Sequence, residues 1–284
     1  MATPPKTTAL PQGLARYDSL ARQAGLDRLY LLLSFDCDTD LDPAAALDLE
    51  PLLKEYGIQA TFAVPGAQLL KAAPTYRGLA ERGAHFLNHG GLPHAEFRDG
   101  RWWGCTFYAR MPEEEVVADI RDGHRIVQEV TGQTPRGYRT AHFGGFQAPE
   151  QLALVHRTLA QLGYAFSSST VPAQALSRGP WYDAAGILEI PTFGTWAAPD
   201  TLLDSWSHLT DRHNYALGDS FYDLFAETVD RLLAAGAHGI LNYYVDPAHV
   251  AGQAPFQRAL EHATRRGLAS IGFNDVLRFA GRTV

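Results

Sequence analysis

A chain of 284 residues in which 46% are hydrophobic and 19% are charged can bury a sizeable core, which excludes a largely disordered protein. The formal net charge of −7 makes a nucleic-acid backbone an unfavourable partner. Two cysteines, Cys37 and Cys105, cannot build a disulfide framework, and we expect free thiols. Since neither a membrane-spanning run nor a secretory signal is present, we expect no membrane partner and a cytoplasmic protein, although a truncated chain would look the same.

Strand and helix signals alternate along the chain. Residues 1–26 are predicted to form an N-terminal arm packed on the outside. Apolar runs then predict strands at 31–35, 60–64, 85–87, 137–139, 165–168, 187–190, 240–244 and 269–271. Proline starts and glycine stops predict helices between them, the last one capped by Asn274. Seven or eight such βα units without an internal linker predict a single α/β domain over residues 1–284, folded as a barrel of parallel strands.

Acidic residues follow the first predicted strand. Asp36, Asp38 and Asp40 come directly after a run of apolar residues, at the end of a parallel strand where α/β proteins keep their active sites. Asp36 and Asp38 are two apart and point to the same side of an extended chain. Their repulsion predicts a nearby cation or a shared proton. The alternative is a cluster that caps the helix beginning near Asp42.

A pair of histidines follows the third predicted strand. His89 and His94, with Asp38, form the donor set of two imidazoles and one carboxylate that holds Zn²⁺ or Fe²⁺ and leaves positions open for water. The glycines at 90 and 91 give the intervening loop its freedom. A chance pairing is the alternative, because the chain contains 11 histidines. We expect His85, inside the strand, to have a packing role.

Two long connections interrupt the alternation, and loops of this length are usually lids or binding loops. The first, residues 90–111, contains Trp102 and Trp103. The second, residues 193–219, contains Trp196, Trp206, His208 and His213. The aromatic side chains are candidates for stacking on sugar rings. They could equally plug the barrel mouth or form a contact between copies, so a homo-oligomer stays open.

Four segments together resemble the NodB-type polysaccharide deacetylases, carbohydrate esterase family 4. The sequence SFDCD at 34–38 is similar to the first motif of that family, and GIQATFAVPG at 57–66 is similar to its second strand. Asn88-His89 with His94 resembles the metal-binding pair, and Gly137-Tyr138-Arg139 resembles the arginine motif. The order and spacing match over residues 30–169, and the remainder matches in architecture.

The resemblance implies a distorted (β/α) barrel and a metal-dependent hydrolase that removes an acetyl group from an N- or O-acylated carbohydrate. Residue by residue, it makes Asp36 the general base and Arg139 its partner. It makes Asp38, His89 and His94 the ligands of a divalent metal, most simply zinc. The backbone N–H at His142 would bind the substrate oxyanion together with the metal. Trp102 and Trp103 would contact the substrate.

The chain also departs from the family pattern. The histidines are five residues apart where four is usual, and Ala141-His142 replaces a proline and an aromatic residue. Ser167 stands at the position of the aspartate that usually supports the arginine. In the last motif Asp246 occupies the place of the usual histidine, and His249 follows three residues later. We predict that His249 is the general acid with Asp246 as its support, and that His142 is the reserve donor; the alternative is that His249 caps a loop.

The substrate is not determined by these motifs. Without a signal sequence, a small acylated sugar, such as a precursor or nucleotide-linked sugar, suits the chain better than an extracellular glycan. One alternative is a cytoplasmic amidohydrolase that acts on a small non-sugar amide. Another is a barrel that binds glycans but has lost catalysis. The altered third and last motifs favour that second alternative, while the complete set of metal and base residues opposes it.

Overall fold

A computed structural model describes residues 9–284, and residues 1–8 of the predicted arm lie outside the described part. It contains thirteen strands: β1 (Leu29–Asp36), β2 (Thr61–Val64), β3 (His85–Asn88), β4 (Ala95–Arg98), β5 (Arg101–Gly104), β6 (Gly137–Tyr138), β7 (Phe166–Ser167), β8 (Tyr182–Ala184), β9 (Ile187–Glu189), β10 (Leu209–Asp211), β11 (Ala216–Leu217), β12 (Gly239–Val245) and β13 (Ala269–Ile271). All eight predicted strands are present. The hairpins β4–β5 and β10–β11 lie within the two long connections, where only loops were predicted.

Eleven α-helices surround the strands: α1 (Gln12–Gln23), α2 (Asp42–Glu55), α3 (Gly66–Lys71), α4 (Ala73–Glu81), α5 (Glu113–Thr131), α6 (Pro149–Gln161), α7 (Pro172–Arg178), α8 (Asp219–Ala234), α9 (Pro247–Val250), α10 (Ala254–Arg265) and α11 (Phe273–Phe279). The predicted cap of the last helix is wrong. Gly272 is the N-cap of α11, and its N–H donates to Asp275 at 2.8 Å. Asn274 therefore lies inside the first turn.

The central sheet has nine strands in the order β12-β1-β2-β3-β6-β7-β9-β8, with β13 also paired to β1. Only the β8–β9 pair is antiparallel, so eight strands run parallel and the predicted number is confirmed. Two strands pair with the same edge of β1. Strand β13 pairs with its first half, Tyr30–Leu32, and β2 pairs with its end, Phe35–Asp36. The sheet curls into a distorted (β/α) barrel.

A side chain joins β12 to the region after β9. The Asn242 Nδ2 donates to the carbonyl oxygens of Ile190 (3.1 Å) and Pro191 (3.0 Å), and the Phe193 N–H donates to the Asn242 carbonyl (2.8 Å). These bonds replace a regular ladder between β9 and β12. Because they satisfy backbone groups that are buried from water, they allow the barrel to be irregular at this point.

Helix α1 lies within the predicted N-terminal arm and packs one face against the barrel. Leu14, Tyr17 and Ala21 are fully buried on one face of the helix. The Tyr17 hydroxyl donates to the Ile240 carbonyl and accepts from the Ile240 N–H, both at 2.8 Å. The helix is thereby fixed to the beginning of β12. Both cysteines are free, as predicted.

No helix among residues 9–284 has the length and apolar character needed to cross a membrane.

Candidate metal centre and active site

The candidate residues meet at one rim of the barrel because they follow parallel strands. Asp36 ends β1, His89 follows β3, Arg139 follows β6 and Asp246 follows β12. The carboxyl ends of parallel strands lie at the same edge, so residues far apart in the chain converge there. A cavity of about 520 Å³ opens at this rim. Its lining includes every predicted site residue except the buried Arg139: Asp36, Asp38, His89, His94, Trp102, Trp103, His142, Asp246 and His249.

Asp38, His89 and His94 converge at the floor of the cavity. Their ligand atoms all lie within 4.8 Å of one another. The Asp38 Oδ1 is 3.3 Å from the His94 Nδ1 and 3.6 Å from the His89 Nε2. Both imidazoles are fully buried. The extra residue between the histidines therefore does not prevent their side chains from meeting.

The hydrogen bonding of these residues fits a divalent cation. The His89 Nδ1 is 2.8 Å from the Arg139 carbonyl oxygen, to which it donates, so its Nε2 carries the lone pair. The Nε2 atoms of His89 and His94 are buried without a hydrogen-bond partner. An unpaired buried nitrogen costs free energy, and a metal ion would satisfy it. Two imidazoles and a carboxylate are a common zinc donor set.

The charges of the site also favour a cation. Burial raises the pKa of Asp38, but the adjacent His89 and His94 imidazoles outweigh it and hold that pKa well below its usual range. Burial lowers the pKa of His89, yet Asp38 and Asp36 more than compensate and raise it. For His94, burial and the neighbouring His89 lower the pKa to about 4, so this ring is a neutral donor at physiological pH. The carboxylates thus stabilise positive charge where the unpaired nitrogens point.

Asp36 lies beside this centre and forms an ion pair with Arg139. The Asp36 Oδ1 accepts from the Arg139 Nη1 at 2.7 Å, and both side chains are buried. Arg139 favours the ionised form of Asp36. In the structure, burial outweighs the arginine and raises the pKa of Asp36 to about 6, which still leaves mostly carboxylate at pH 7. A pKa close to neutrality suits a proton acceptor.

Ser168, the residue after Ser167, contacts the Arg139 side chain. The Arg139 Nε donates to the Ser168 carbonyl at 3.2 Å, and its Nη2 donates to the Ser168 hydroxyl at 3.3 Å. The Ser167 hydroxyl instead donates to Ser169. The Asn242 Nδ2 also donates to the Ser168 hydroxyl, at 3.0 Å. A neutral serine and an asparagine therefore position the arginine in place of a second carboxylate.

Arg139→Met is expected to destabilise the fold by about 3–5 kcal/mol, because it leaves the buried Asp36 carboxylate without its partner. Denaturant unfolding of metal-free protein measures the loss. Adding Asp36→Asn to this variant should recover part of the stability, since no buried charge then remains. A double variant that is no more stable than Arg139→Met would contradict this account of the pair.

Sequence reasoning missed the aromatic residues around Arg139. Its guanidinium lies 5.4 Å from the Phe143 ring centroid and 5.3 Å from that of Tyr244. These two rings stack on each other with centroids 4.8 Å apart. Both line the cavity. The available signal was weak: Tyr244 lies in β12 and Phe143 directly follows the arginine motif.

His249 and Asp246 form a buried pair on α9 and at its N-cap. The His249 Nδ1 is 3.1 Å from the Asp246 Oδ2 and 3.0 Å from the Ser205 hydroxyl. Ser205 also donates to Asp246 at 2.9 Å and accepts from its backbone N–H at 3.0 Å. Burial lowers the pKa of His249, but Asp246 outweighs it and raises that pKa above its usual value. Asp246 and Ser205 both contact the Nδ1 of His249, so its Nε2 is the ring nitrogen available to a ligand.

Asp42 connects the two halves of the site. Its Oδ2 accepts from the Thr39 N–H (2.7 Å) and hydroxyl (2.8 Å), and its Oδ1 accepts from the Ala248 N–H (3.0 Å). Thr39 adjoins Asp38, and Ala248 adjoins His249. Asp42 is the first residue of α2, and Leu41 is the N-cap. Its carboxylate therefore joins the loop of the metal centre to α9.

His142 is held by its surroundings. Its Nε2 is 2.6 Å from the Cys105 carbonyl oxygen, to which it donates, and its ring stacks on Phe107 with centroids 4.5 Å apart. Its φ of +53° is uncommon for a residue other than glycine. The structure places it 5.7 Å from His94 between ring centroids. Two roles of His142 stay predictions: binding of the substrate oxyanion by its backbone N–H, and service as the reserve proton donor.

The two long connections form opposite walls of the cavity. The β4–β5 hairpin brings Trp102 and Trp103 to the lining, as the prediction of substrate contact requires. From the second connection, Trp206 and Tyr215 line the cavity. The other candidates of that segment lie outside the lining: Trp196, His208 and His213. Trp196 packs partly against the main core.

The (β/α) barrel brings a carboxylate–histidine centre and a second acid–base pair to one cavity. The model of the polysaccharide deacetylase family matches residues 25–166, which is half of the chain. The chain belongs to this family. The match covers β1 to the beginning of β7 and therefore includes Asp36, Asp38, His89, His94 and Arg139.

Solved structures show the same fold at low sequence identity. A protein of the polysaccharide deacetylase type from Mycobacterium smegmatis is similar with a TM-score of 0.65 and 18% identity, covering 100% of this chain and 98% of that one. A family 4 carbohydrate esterase from Streptomyces lividans, in complex with acetate, has a TM-score of 0.52 and 15% identity over 85% of this chain and 91% of its own. A family 4 pseudoenzyme from Bacillus anthracis has a TM-score of 0.51 and 11% identity, over 89% and 66%. No curated protein matches significantly.

Proposed function

We propose that this chain is a metal-dependent deacetylase that hydrolyses the acetyl amide or ester of a small acylated carbohydrate. The observation that supports this best is the arrangement of one cavity. The unpaired nitrogens of His89 and His94 and the Asp38 carboxylate lie at its floor, with the Asp36–Arg139 pair beside them. The His249–Asp246 pair lines the same cavity. A mere binding barrel has no need of two buried acid–base pairs beside a cation site.

Asp38, His89 and His94 would hold the metal, most simply Zn²⁺. When bound, such an ion would polarise the acyl carbonyl and lower the pKa of its bound water towards about 7. The remaining residues handle protons and position. Asp36 accepts the proton of the attacking water, and Arg139 orients Asp36 through the 2.7 Å bond. His249 gives a proton to the leaving group through its Nε2, while Asp246 and Ser205 hold its Nδ1.

His89→Ala and His94→Ala should each reduce bound metal strongly, because each removes one of only three protein ligands. Elemental analysis of purified protein measures the metal-to-protein ratio. His85→Ala is the matched control, since His85 lies on the same strand β3, is not among the three ligands and should leave the ratio unchanged. Full metal occupancy in both ligand variants would contradict the assigned centre.

Acetate release tests the activity itself. The metal-loaded protein should liberate acetate from N-acetylated or O-acetylated sugars and lose this activity after chelation, with recovery on adding Zn²⁺. Small non-sugar amides, assayed in parallel, test the amidohydrolase alternative. A protein that binds one metal ion but releases no acetate from any acylated sugar would contradict the proposed function and favour a glycan-binding barrel.

A further inference from the structure

Three arginines stack on aromatic residues that line the cavity. We propose that these residues, Arg101, Arg110 and Arg212, bind a negatively charged group, phosphate or carboxylate, on the substrate molecule whose acyl group enters the cavity. We call them the mouth arginines. The inference rests on the proposed function, since it names the class of substrate for the same site.

Each mouth arginine contacts an aromatic ring of the cavity lining. The Arg101 guanidinium carbon lies 3.5 Å from the Trp103 ring centroid. That of Arg110 lies 4.8 Å from Phe107, and that of Arg212 lies 4.9 Å from Trp206. The three arginines themselves do not line the cavity. They come from both long connections, Arg101 and Arg110 from the first and Arg212 from the second.

The mouth arginines have no carboxylate partner among residues 9–284. Most other surface arginines do: Arg22, Arg82, Arg125, Arg231, Arg258, Arg266, Arg278 and Arg282 each form an ion pair. Arg98, which also approaches Trp103, pairs with Glu96 at 3.2 Å. On a chain with a net charge of −7, the described part therefore has three arginines without an ion pair in contact with the lining of one cavity.

Stacking leaves the guanidinium able to bind an anion. A cation–π contact uses the face of the planar group, whereas its five N–H donors lie in the plane. Those of the mouth arginines make no hydrogen bond to a side chain or carbonyl within the described part of the chain. Arginine recognises phosphate and carboxylate through such in-plane pairs of donors. The aromatic rings therefore position the donors without occupying them.

The interior of the cavity has the opposite character. Its charged lining residues are acidic: Asp36, Asp38, Asp204 and Asp246. No lysine or arginine lines it, and the nearby Arg139 is fully buried and already paired with Asp36. An anion would be unfavourable at the floor and favourable at the mouth. This separation orients a substrate with its acyl group inside and its charged group outside.

The experiment compares N-acetylglucosamine with N-acetylglucosamine 6-phosphate and N-acetylmuramic acid, using metal-loaded protein. We expect kcat/KM to be higher for at least one charged sugar, and that advantage to shrink as salt rises from 0.01 M to 1 M, because exposed charges are screened. Whichever charged sugar is preferred identifies the anion. Equal kcat/KM for all three sugars, or a preference independent of salt, would overturn the proposal.

Variants locate the effect. Arg101→Gln, Arg110→Gln and Arg212→Gln should each lower the ratio of kcat/KM for charged over neutral sugar by about twofold to fivefold, as expected for one exposed ion pair. The corresponding lysine variants keep the charge and should retain much of the ratio. Arg178→Gln is the matched control, since Arg178 is exposed, stacks on Tyr182 at 4.6 Å and is remote from the cavity lining. A control that lowers the ratio equally would contradict a local site.

A binding measurement tests the anion site independently of the proposed deacetylase activity. Calorimetric titration with glucosamine and glucosamine 6-phosphate needs no turnover. Tighter binding of the phosphate, weakened in the triple glutamine variant, supports the anion site even if no acetate is released. Acetate release without any difference in binding would retain the proposed function and overturn the anion site.

Discussion

Asp36→Asn is expected to bind metal as the unchanged protein does and to lose turnover by about 10²–10⁴-fold, the typical contribution of a positioned base. Asparagine is nearly isosteric with aspartate but does not accept the proton of water. The three metal ligands are other residues, Asp38, His89 and His94. Elemental analysis and acetate release, measured on the same preparation, provide the two readings.

Two comparisons sharpen this experiment. Asp40→Asn removes a neighbouring carboxylate that contacts Lys71 and Gln68 and lies outside the cavity lining, so it should leave turnover nearly unchanged. Loss of metal together with turnover in Asp36→Asn would make Asp36 a ligand, which the 3.8 Å separation between its Oδ2 and the His89 Nε2 leaves within reach. In that case the base would be another residue.

His249→Ala should lower turnover on an amide by about 10²–10⁴-fold, because the leaving amine must receive a proton as the tetrahedral intermediate collapses. On an aryl ester the loss should be much smaller, since the phenolate departs without a proton. The comparison of the two substrates therefore distinguishes proton donation from a general defect of the site.

The control for His249 is His262→Ala. His262 is also a histidine held by an aspartate, 2.9 Å from Asp230, but it lies on α10 outside the cavity lining. It should leave the ratio of amide to ester turnover unchanged. Equal losses on both substrates in His249→Ala would give His249 a structural role, and no loss on the amide would transfer the acid to another group such as His142.

The barrel could be predicted from the sequence because its signals are local. Each predicted strand is a short apolar run, and helix α5 has its buried face spaced at 3–4 residues between a proline start and Gly132. The hairpins β4–β5 and β10–β11 were missed for the same reason. Leu217 is the one buried residue of their four strands and the others are exposed or half-buried, so neither hairpin has a buried face to mark it.

The sequence by itself was enough to predict the candidate site residues that lie at the ends of parallel strands. Asp36, Asp38 and His89 were found because the carboxyl ends of such strands share one edge, whatever the details of packing. Arg139 was found only through the family resemblance. Their family resemblance added the order of the motifs. Which of them act in catalysis is for the variants above to test.

Only the tertiary structure decided which side chains support these residues. Ser167 and Ser168 are neighbours, yet consecutive residues of an extended chain point in opposite directions, so only the Ser168 hydroxyl contacts Arg139 while the Ser167 hydroxyl donates to Ser169. Ser205 reaches His249 across 44 positions, and Tyr17 reaches Ile240 across 223. Such contacts depend on strand register and on how helices pack across the barrel. A local pattern of apolar and polar residues predicts neither the register nor the packing. It indicates which side of an element is buried, but not which other element covers that side.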